Sequence, residues 1–252
     1  MEKQNLHKKL ILLIICLSAA VGISGCGGIT GRNIFSFGIK KNYTIGRSVE
    51  KRLIRLSVLG NGENTTLFIA AIHGDEPAGT SLAAQLEKYL VDHRKLLKDK
   101  KVLIIPIANP DGFAAQTRSN ANGIDLNRNF NADNRANNNR NGYFALSEPE
   151  SEAIYKIIEK YQPQKVVSIH QPFACIDYDG PAAELAAIMS ERCGLEVKKL
   201  GALCGSLGSY VGIEKNTAII TVELCEMDHN LSPEELWDIY GQALLAAVEF
   251  RP

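Results

Sequence analysis

The sequence predicts an α/β fold with a mixed, largely parallel central sheet flanked by helices. Apolar runs of strand length recur along the chain, and helical patterns fall between several of them. The chain has 252 residues, of which 45% are hydrophobic and 22% are charged. That composition is typical of one globular domain. Because ligands bind at strand ends in such sheets, we expect a site there.

Five apolar segments have the length and composition of buried strands. They are Leu53 to Leu59, Leu67 to Ile72, Val102 to Ile107, Val166 to Ile169 and Ala218 to Leu224.

Helix signals follow several of these strands. Leu82, Leu86 and Leu90 recur at the spacing of one helix face, directly after a predicted strand. Ser147 and Ser232 each have a Glu three residues later, which is the spacing of a capping box and predicts that a helix begins there. The chain therefore alternates between strand and helix.

The first 25 residues have the features of a secretory signal, with a basic start followed by an apolar run from Leu10 to Ile23. Ile23-Ser24-Gly25-Cys26 is similar to a bacterial lipobox, which predicts that Cys26 is lipidated and anchors the chain to a membrane. An ordinary signal peptide with an incidental Cys26 is the alternative. We expect a tether over residues 26–50 and the folded domain over residues 51–252.

Charge argues against one class of partner. Lys and Arg total 28, as do Asp and Glu, so the formal net charge is +0. Proteins that bind nucleic acid non-specifically need a basic field. We therefore expect no nucleic-acid partner. The sequence does not specify an oligomeric state.

Thr117 to Phe144 is crowded with Asn, Arg and Gly and has no sustained period. For Ala132 to Asn141 we expect a disordered polar loop. Gly123 to Phe130 is more typical of an ordered functional loop.

Three residues at predicted strand ends form a set of possible metal ligands. His73 and Glu76 follow one strand, where a solvated turn is the alternative, and His170 follows another. Two His and one carboxylate leave a fourth position open, as in catalytic zinc sites. The sequence thus predicts one Zn²⁺ per chain on these three residues.

Glu223 lies in the middle of an apolar strand, where a charge is costly unless it is paired or catalytic. It is the candidate general base, and an edge-strand Glu that faces solvent is the alternative. Arg118 and Arg128 of the Asn-rich segment are guanidinium groups suited to anions: one could hold a carboxylate and the other could support an oxyanion. Surface solvation is the alternative for both.

Five motifs together resemble those of the zinc carboxypeptidase family typified by carboxypeptidase A. In chain order they are HGDE, NPDG, GIDLNRNF, SIHQP and TVEL, from about Leu67 to Leu224. Within that family, PFACIDYDGP and GSLGSY are similar to the pattern of the murein peptide amidases. One family feature is missing, because Ala202 to Leu207 contains no Tyr that could close over a substrate. Tyr210 belongs to the predicted GSLGSY strand and is given no catalytic role.

The resemblance implies roles for seven residues. It implies zinc on His73, Glu76 and His170, Glu223 as general base and acid, and Arg118 as oxyanion support. It also implies that Asn127 and Arg128 hold the terminal carboxylate of the substrate.

The implied activity is that of a membrane-anchored extracytoplasmic zinc metallopeptidase acting on cell-wall peptides. It would hydrolyse the amide between γ-D-glutamate and meso-diaminopimelate. One alternative is a carboxypeptidase for ordinary L-peptides. Another is a wall-binding lipoprotein with a decayed site. Asp177 and Asp179 could recognise an amine on the leaving group, with a solvated acidic turn as the alternative.

Four cysteines remain after Cys26, and their spacing is unlike that of a zinc ribbon. We expect Cys175, Cys193, Cys204 and Cys225 to be core thiols or disulfide partners. Cys225 follows Glu223 by two residues, so strand alternation predicts that both side chains lie on one face.

Overall fold

The computed structural model describes residues 40–252. The expected signal peptide, Cys26 and the first part of the expected tether lie outside these residues. The described residues belong to one compact unit. In the described part of the chain, the helices are too short or too polar to cross a membrane.

Eight strands form one mixed sheet in the spatial order β1-β2-β4-β3-β5-β8-β6-β7. The strands are β1 Lys40–Arg47, β2 Leu53–Gly60, β3 Asn64–Ala70, β4 Lys100–Ile105, β5 Lys165–His170, β6 Phe173–Asp179, β7 Glu196–Val197 and β8 Ala218–Cys225. The four central strands β4, β3, β5 and β8 are parallel. This arrangement confirms the predicted fold class and all five predicted strands.

Helices cover both faces of the sheet. The α-helices are α1 Ala78–Asp92, α2 Pro110–Ala115, α3 Pro149–Tyr161, α4 Ala183–Cys193 and α5 Pro233–Glu249. Shorter helical turns are Arg94–Leu97, Leu126–Arg128, Ser209–Glu214 and Glu226–Asn230. One core lies between the sheet and α1, α4 and α5, and the other lies beneath α3 and the segment around Phe130.

The sheet begins earlier than predicted. Residues 40–47, expected within the tether, form β1 and pair antiparallel with β2, so the boundary at residue 51 is wrong. Most of β1 is exposed because it is an edge strand, and its sequence therefore lacks the apolar run that marks the buried strands.

Two predicted local elements differ from the structure. The helix expected at Ser147 begins at Pro149, and no capping box forms there, whereas the Ser232–Glu235 capping box is confirmed. The GSLGSY segment is helical rather than extended, with Ser209 N donating to Ser206 Oγ.

The segment from Ala132 to Asn141 is also not the disordered loop we expected. Side-chain hydrogen bonds to the backbone hold it in place. Arg135 donates to the carbonyl groups of Asn141 and Gly142, and Asn134 Oδ1 accepts from Gly205 N at 3.0 Å. Side chains that compete for backbone groups in this way give no sequence period.

Lys165 is a fully buried cation at the start of β5. Its Nζ donates to Asn64 Oδ1 at 2.5 Å, and burial lowers its pKa to about 8. In the unfolded chain the amine retains its proton to higher pH. The folded state therefore loses this proton first as pH rises, and stability increases over that interval.

We predict that wild type gains about 2 kcal/mol of unfolding free energy relative to Lys165→Met between pH 7 and pH 10. Chemical denaturation of both chains across this range measures the difference. A constant difference would contradict the depressed pKa.

Candidate active site

The sheet brings the predicted metal ligands together. The turn that carries His73 and Glu76 follows β3, and His170 is the last residue of the neighbouring parallel strand β5. His73 lies three residues beyond the strand because Ala71 adopts a left-handed backbone that ends the ladder. Glu76 precedes α1 instead of lying in its first turn.

Neighbouring segments hold this turn in place. Gly74 packs so closely on Gly112 that a Cβ atom would lie 1.9 Å from the Gly112 carbonyl carbon. Ala78 N, at the start of α1, donates to Gln171 Oε1 at 3.2 Å. The NPDG and SIHQP motifs therefore support the HGDE turn as well as following it in sequence.

Three ligand atoms converge in a buried space. His73 Nδ1 lies 2.7 Å from Glu76 Oε1, and His170 Nδ1 lies 2.8 Å from Glu76 Oε2. The two Nδ1 atoms are 3.2 Å apart. The exposed fractions of the three residues are only 2%, 6% and 3%, so nearby protein groups, rather than bulk water, decide their protonation.

Asp125 and Ser168 bind the outer nitrogens of the two rings. His73 Nε2 lies 3.1 Å from Asp125 Oδ1, and His170 Nε2 lies 2.9 Å from Ser168 Oγ. With a proton on each Nε2, both Nδ1 lone pairs face Glu76. Metal-binding His residues are oriented in this way by their outer partners. Two lone pairs at 3.2 Å beside a carboxylate need a cation between them, so these residues fit zinc.

The pKa values agree with a site built for a cation. Burial would raise the pKa of Glu76, but His170 and His73 outweigh it and lower that pKa. Burial would lower the pKa of His73, but hydrogen bonds with Asp125 and Glu76 raise it. The pocket thus holds ionised carboxylates beside imidazoles. A bound metal ion can take the place of the protons between them, because its positive charge interacts with the same groups.

Glu223 lies beside the His-Glu-His set. It pairs with His170 across β5 and β8 and with Cys175 across β8 and β6. Its Oε2 atom has no hydrogen-bond partner among the described residues, and burial raises its pKa. Only 7% of the Glu223 surface is exposed. This excludes the alternative that Glu223 lies on an edge strand and faces solvent.

The Asn-rich segment places its arginines near the same point. Arg118 donates to Asp125 Oδ2 and to Glu76 Oε1 at 3.1 and 3.2 Å, and 37% of its side chain remains exposed. Arg128 Nη1 donates to Asn127 O at 2.5 Å. Burial lowers the pKa of Arg128, and the positive charges of Arg118 and Arg140 lower it further. Three cations in one loop favour an anion.

A pocket extends from this centre along the sheet. Glu223, His170 and Asn127 line it, together with Asp177 and Asp179 of β6. Asn127 Oδ1 accepts from Leu207 N at 2.8 Å, so its amide nitrogen remains for a ligand. Asp177 and Asp179 are each 5% exposed, which excludes the solvated acidic turn.

Two groups in this site had no role in our sequence analysis. Asp125 stands in the GIDLNRNF motif, and Ser168 precedes His170 by two residues. The sequence feature that could have predicted a role for Asp125 is its place as an acid after the apolar Ile124 in an Asn-rich loop. Arg140 also approaches Asp125, at 3.6 Å.

Tyr210 and Cys225 lie away from the site. Tyr210 is buried and donates to Glu159 on α3, which agrees with its having no catalytic role. Cys225 contacts the Tyr240 hydroxyl on α5 at 3.6 Å. Our prediction that it shares a face with Glu223 is wrong, because the strand ends there in a helical turn capped by Cys225. The four cysteines of residues 40–252 are free thiols.

Comparison with known proteins identifies the family. The model of the zinc carboxypeptidase family matches residues 38–178, more than half of the chain. The chain belongs to this family, which confirms the resemblance seen in the motifs, and it is a hydrolytic metalloenzyme.

Individual relatives share one description. Murein peptide amidase A of Escherichia coli K12 is 34% identical over 175 residues, which cover 62% of this chain and 69% of the relative. The protein of that name from Vibrio campbellii is 30% identical over 193 residues, which cover 69% and 75%. The crystal structure of a murein-tripeptide amidase from E. coli O157 matches with a TM-score of 0.68 and 26% identity, covering 84% of this chain and 92% of that one.

Proposed function

We propose that this chain hydrolyses the amide between γ-D-glutamate and meso-diaminopimelate in murein peptides. Likeness to two murein peptide amidases supports the cell-wall substrate. The choice of diaminopimelate as the leaving group rests on the pocket, which contains both Glu223 and His170 of the buried centre and two buried aspartates. An ordinary carboxypeptidase for apolar L-residues would have no use for acids there.

The residues divide the chemistry as follows. His73, Glu76 and His170 would hold zinc, which supplies a Lewis acid for the scissile carbonyl and lowers the pKa of water. Glu223 Oε2, which has no hydrogen-bond partner within residues 40–252, accepts a proton from the attacking water and delivers it to the leaving nitrogen. Arg118 supports the negative charge on the carbonyl oxygen.

The substrate carboxylate docks on the Asn-rich loop. The α-carboxylate of the leaving residue accepts from the Asn127 amide and the Arg128 guanidinium, which share one turn of the chain. This contact fixes the scissile bond beside Glu223, in line with the use of guanidinium groups for carboxylates.

Strand geometry matches the length of the diaminopimelate side chain. Asp177 lies opposite Thr221, two residues along β8 from Glu223, and two residues of strand span about 7 Å. The distal ammonium of diaminopimelate is about 6 Å from its α-carbon, given bonds of about 1.5 Å. That ammonium therefore reaches the level of Asp177.

Space and charge at the pocket end are also suitable. Gly208 faces Asp179, and a Cβ atom there would lie 2.5 Å from Asp179 Oδ2. Lys199 Nζ lies 3.4 Å from Asp179 Oδ1. The distal centre of diaminopimelate carries an ammonium, which Asp177 and Asp179 would attract, and a carboxylate, for which Lys199 beside Asp179 is the nearby cation.

The first test compares two substrates. We expect the zinc-loaded chain to release meso-diaminopimelate from L-Ala-γ-D-Glu-meso-diaminopimelate, and to leave a matched L-tripeptide intact, as measured by mass spectrometry. Glu223→Gln should lose about 10²- to 10⁴-fold in rate because proton transfer is removed. Glu226→Gln, at an exposed position after the same strand, is the matched control.

Cleavage of the L-tripeptide alone would assign the chain to the general carboxypeptidases. Cleavage of neither substrate would favour the decayed, wall-binding alternative.

The second test concerns the leaving group. Asp177→Asn preserves the oxygen that accepts from Leu200 N but removes the charge. We expect KM for the diaminopimelate peptide to rise about tenfold with kcat nearly unchanged, because a charged contact is lost in both the ground and transition states. A peptide with D- or L-Ala in place of diaminopimelate should respond equally to wild type and variant. A large effect on that peptide as well would point to general damage.

We also propose that the chain is an extracytoplasmic lipoprotein anchored through Cys26. The basic start, the apolar run and the lipobox-like sequence support this. Intact-mass measurement of the mature chain checks it: an acylated Cys26 at the N-terminus is expected, and an N-terminus elsewhere would contradict the anchor.

A further inference from the structure

A groove of about 380 Å³ lies away from the active site, between the β1-β2-β4 side of the sheet and the turn at Arg94–Leu97. Four cations line it: Lys41, Arg94, Lys98 and Lys101. The chain as a whole has no net charge, so this groove concentrates positive charge that is balanced elsewhere on the protein.

The four cations make no salt bridge within the described residues. Two acids on the adjoining helix α1 pair with other cations, because Asp92 lies near Lys88 and Glu87 binds Lys40. Asp99, between Lys98 and Lys100, is the acid nearest in sequence to the groove lysines. Such a cluster of unpaired cations creates a local positive potential and attracts anions.

Apolar and aromatic surface lies between the charges. Tyr43 is 43% exposed, and Tyr161 and Leu97 also line the groove. Tyrosines with an apolar body and a polar tip suit the boundary between water and lipid headgroups. Cations combined with tyrosines thus favour a headgroup surface over a small inorganic anion.

The groove and the active site lie at opposite ends of the strands of the sheet. Lys41 and Lys101 are the second residues of β1 and β4, which run in the same direction. His170 is the last residue of β5, which runs in that direction as well. Strands of six to eight residues separate the two edges by about 20 to 25 Å. A surface bound at the groove would leave the pocket open on the far side.

The position of the chain start agrees with this orientation. The described part begins at Lys40, next to the groove, and 13 residues lie between it and Cys26. That length spans at most about 50 Å when extended, so a lipid on Cys26 permits the groove edge to meet the bilayer.

We propose that this groove docks on an anionic phospholipid surface and holds the catalytic edge away from the membrane. The proposal is independent of the peptide chemistry and of the lipid on Cys26, because the groove itself supplies the binding.

The test uses the chain from residue 27, which contains the whole compact unit, with vesicles of phosphatidylcholine alone or with about a third phosphatidylglycerol. We expect sedimentation with the anionic vesicles only, weakened by added salt. Reversing Lys41, Arg94 and Lys98 to Glu should lower the partition coefficient by about tenfold or more, because each basic residue near such a surface adds to binding.

The matched control reverses three exposed cations elsewhere, Lys156, Arg192 and Lys198, to Glu. It should retain most of the vesicle binding despite the same change in net charge. Equal loss in both variants, equal binding to neutral vesicles, or no binding to either would overturn the proposal. Retention on a soluble polyglycerol phosphate but not on vesicles would assign the groove to a wall polymer instead.

Peptide hydrolysis by the groove variant separates the two proposals. Its substituted residues lie at the edge opposite the active site, so its rate on the diaminopimelate peptide should equal that of wild type. Lost vesicle binding with intact hydrolysis supports docking by the groove.

Discussion

The contact between two imidazole nitrogens, His73 Nδ1 and His170 Nδ1, is the constraint on which the rest of this structure depends. They lie 3.2 Å apart, with Glu76 beside both. In a buried space the two lone pairs and the carboxylate repel one another unless a cation joins them. Asp125 and Ser168 prevent the rings from turning away, because each binds an outer nitrogen. The protein thus holds an arrangement that is unfavourable alone and favourable with a metal ion.

Parallel strands make this arrangement possible. β3, β5 and β8 are neighbours that end at the same edge, so the turn after β3, the last residue of β5 and Glu223 on β8 meet without a long loop. β5 and β8 also line the pocket, and β6, which pairs antiparallel with β8, adds Asp177 and Asp179 to it. One sheet edge therefore carries the residues that we propose as metal ligands, general base and selectivity groups. The opposite edge remains available for the basic groove.

Much of this was predictable from sequence because buried parallel strands read as continuous apolar runs, and polar residues that end such runs stand out. His73 and His170 follow such runs directly, Glu76 lies in the turn after the first of them, and Glu223 interrupts another. Features that depend on tertiary contacts were not predictable. β1 is an exposed edge strand without an apolar run, and the ring that Asp125 orients is 52 positions away in sequence. The burial of Asp177 and Asp179 likewise depends on the loop that covers them and leaves no local pattern.

The central claim is that a zinc ion occupies the space between His73, Glu76 and His170. Anomalous diffraction from a crystal of the zinc-loaded chain, recorded on both sides of the zinc absorption edge, tests it most directly. We predict one anomalous peak per chain, with both Nδ1 atoms and a Glu76 oxygen about 2.0 to 2.2 Å away. A peak bound by other residues, or none at this position in a crystal with zinc elsewhere, would contradict the account.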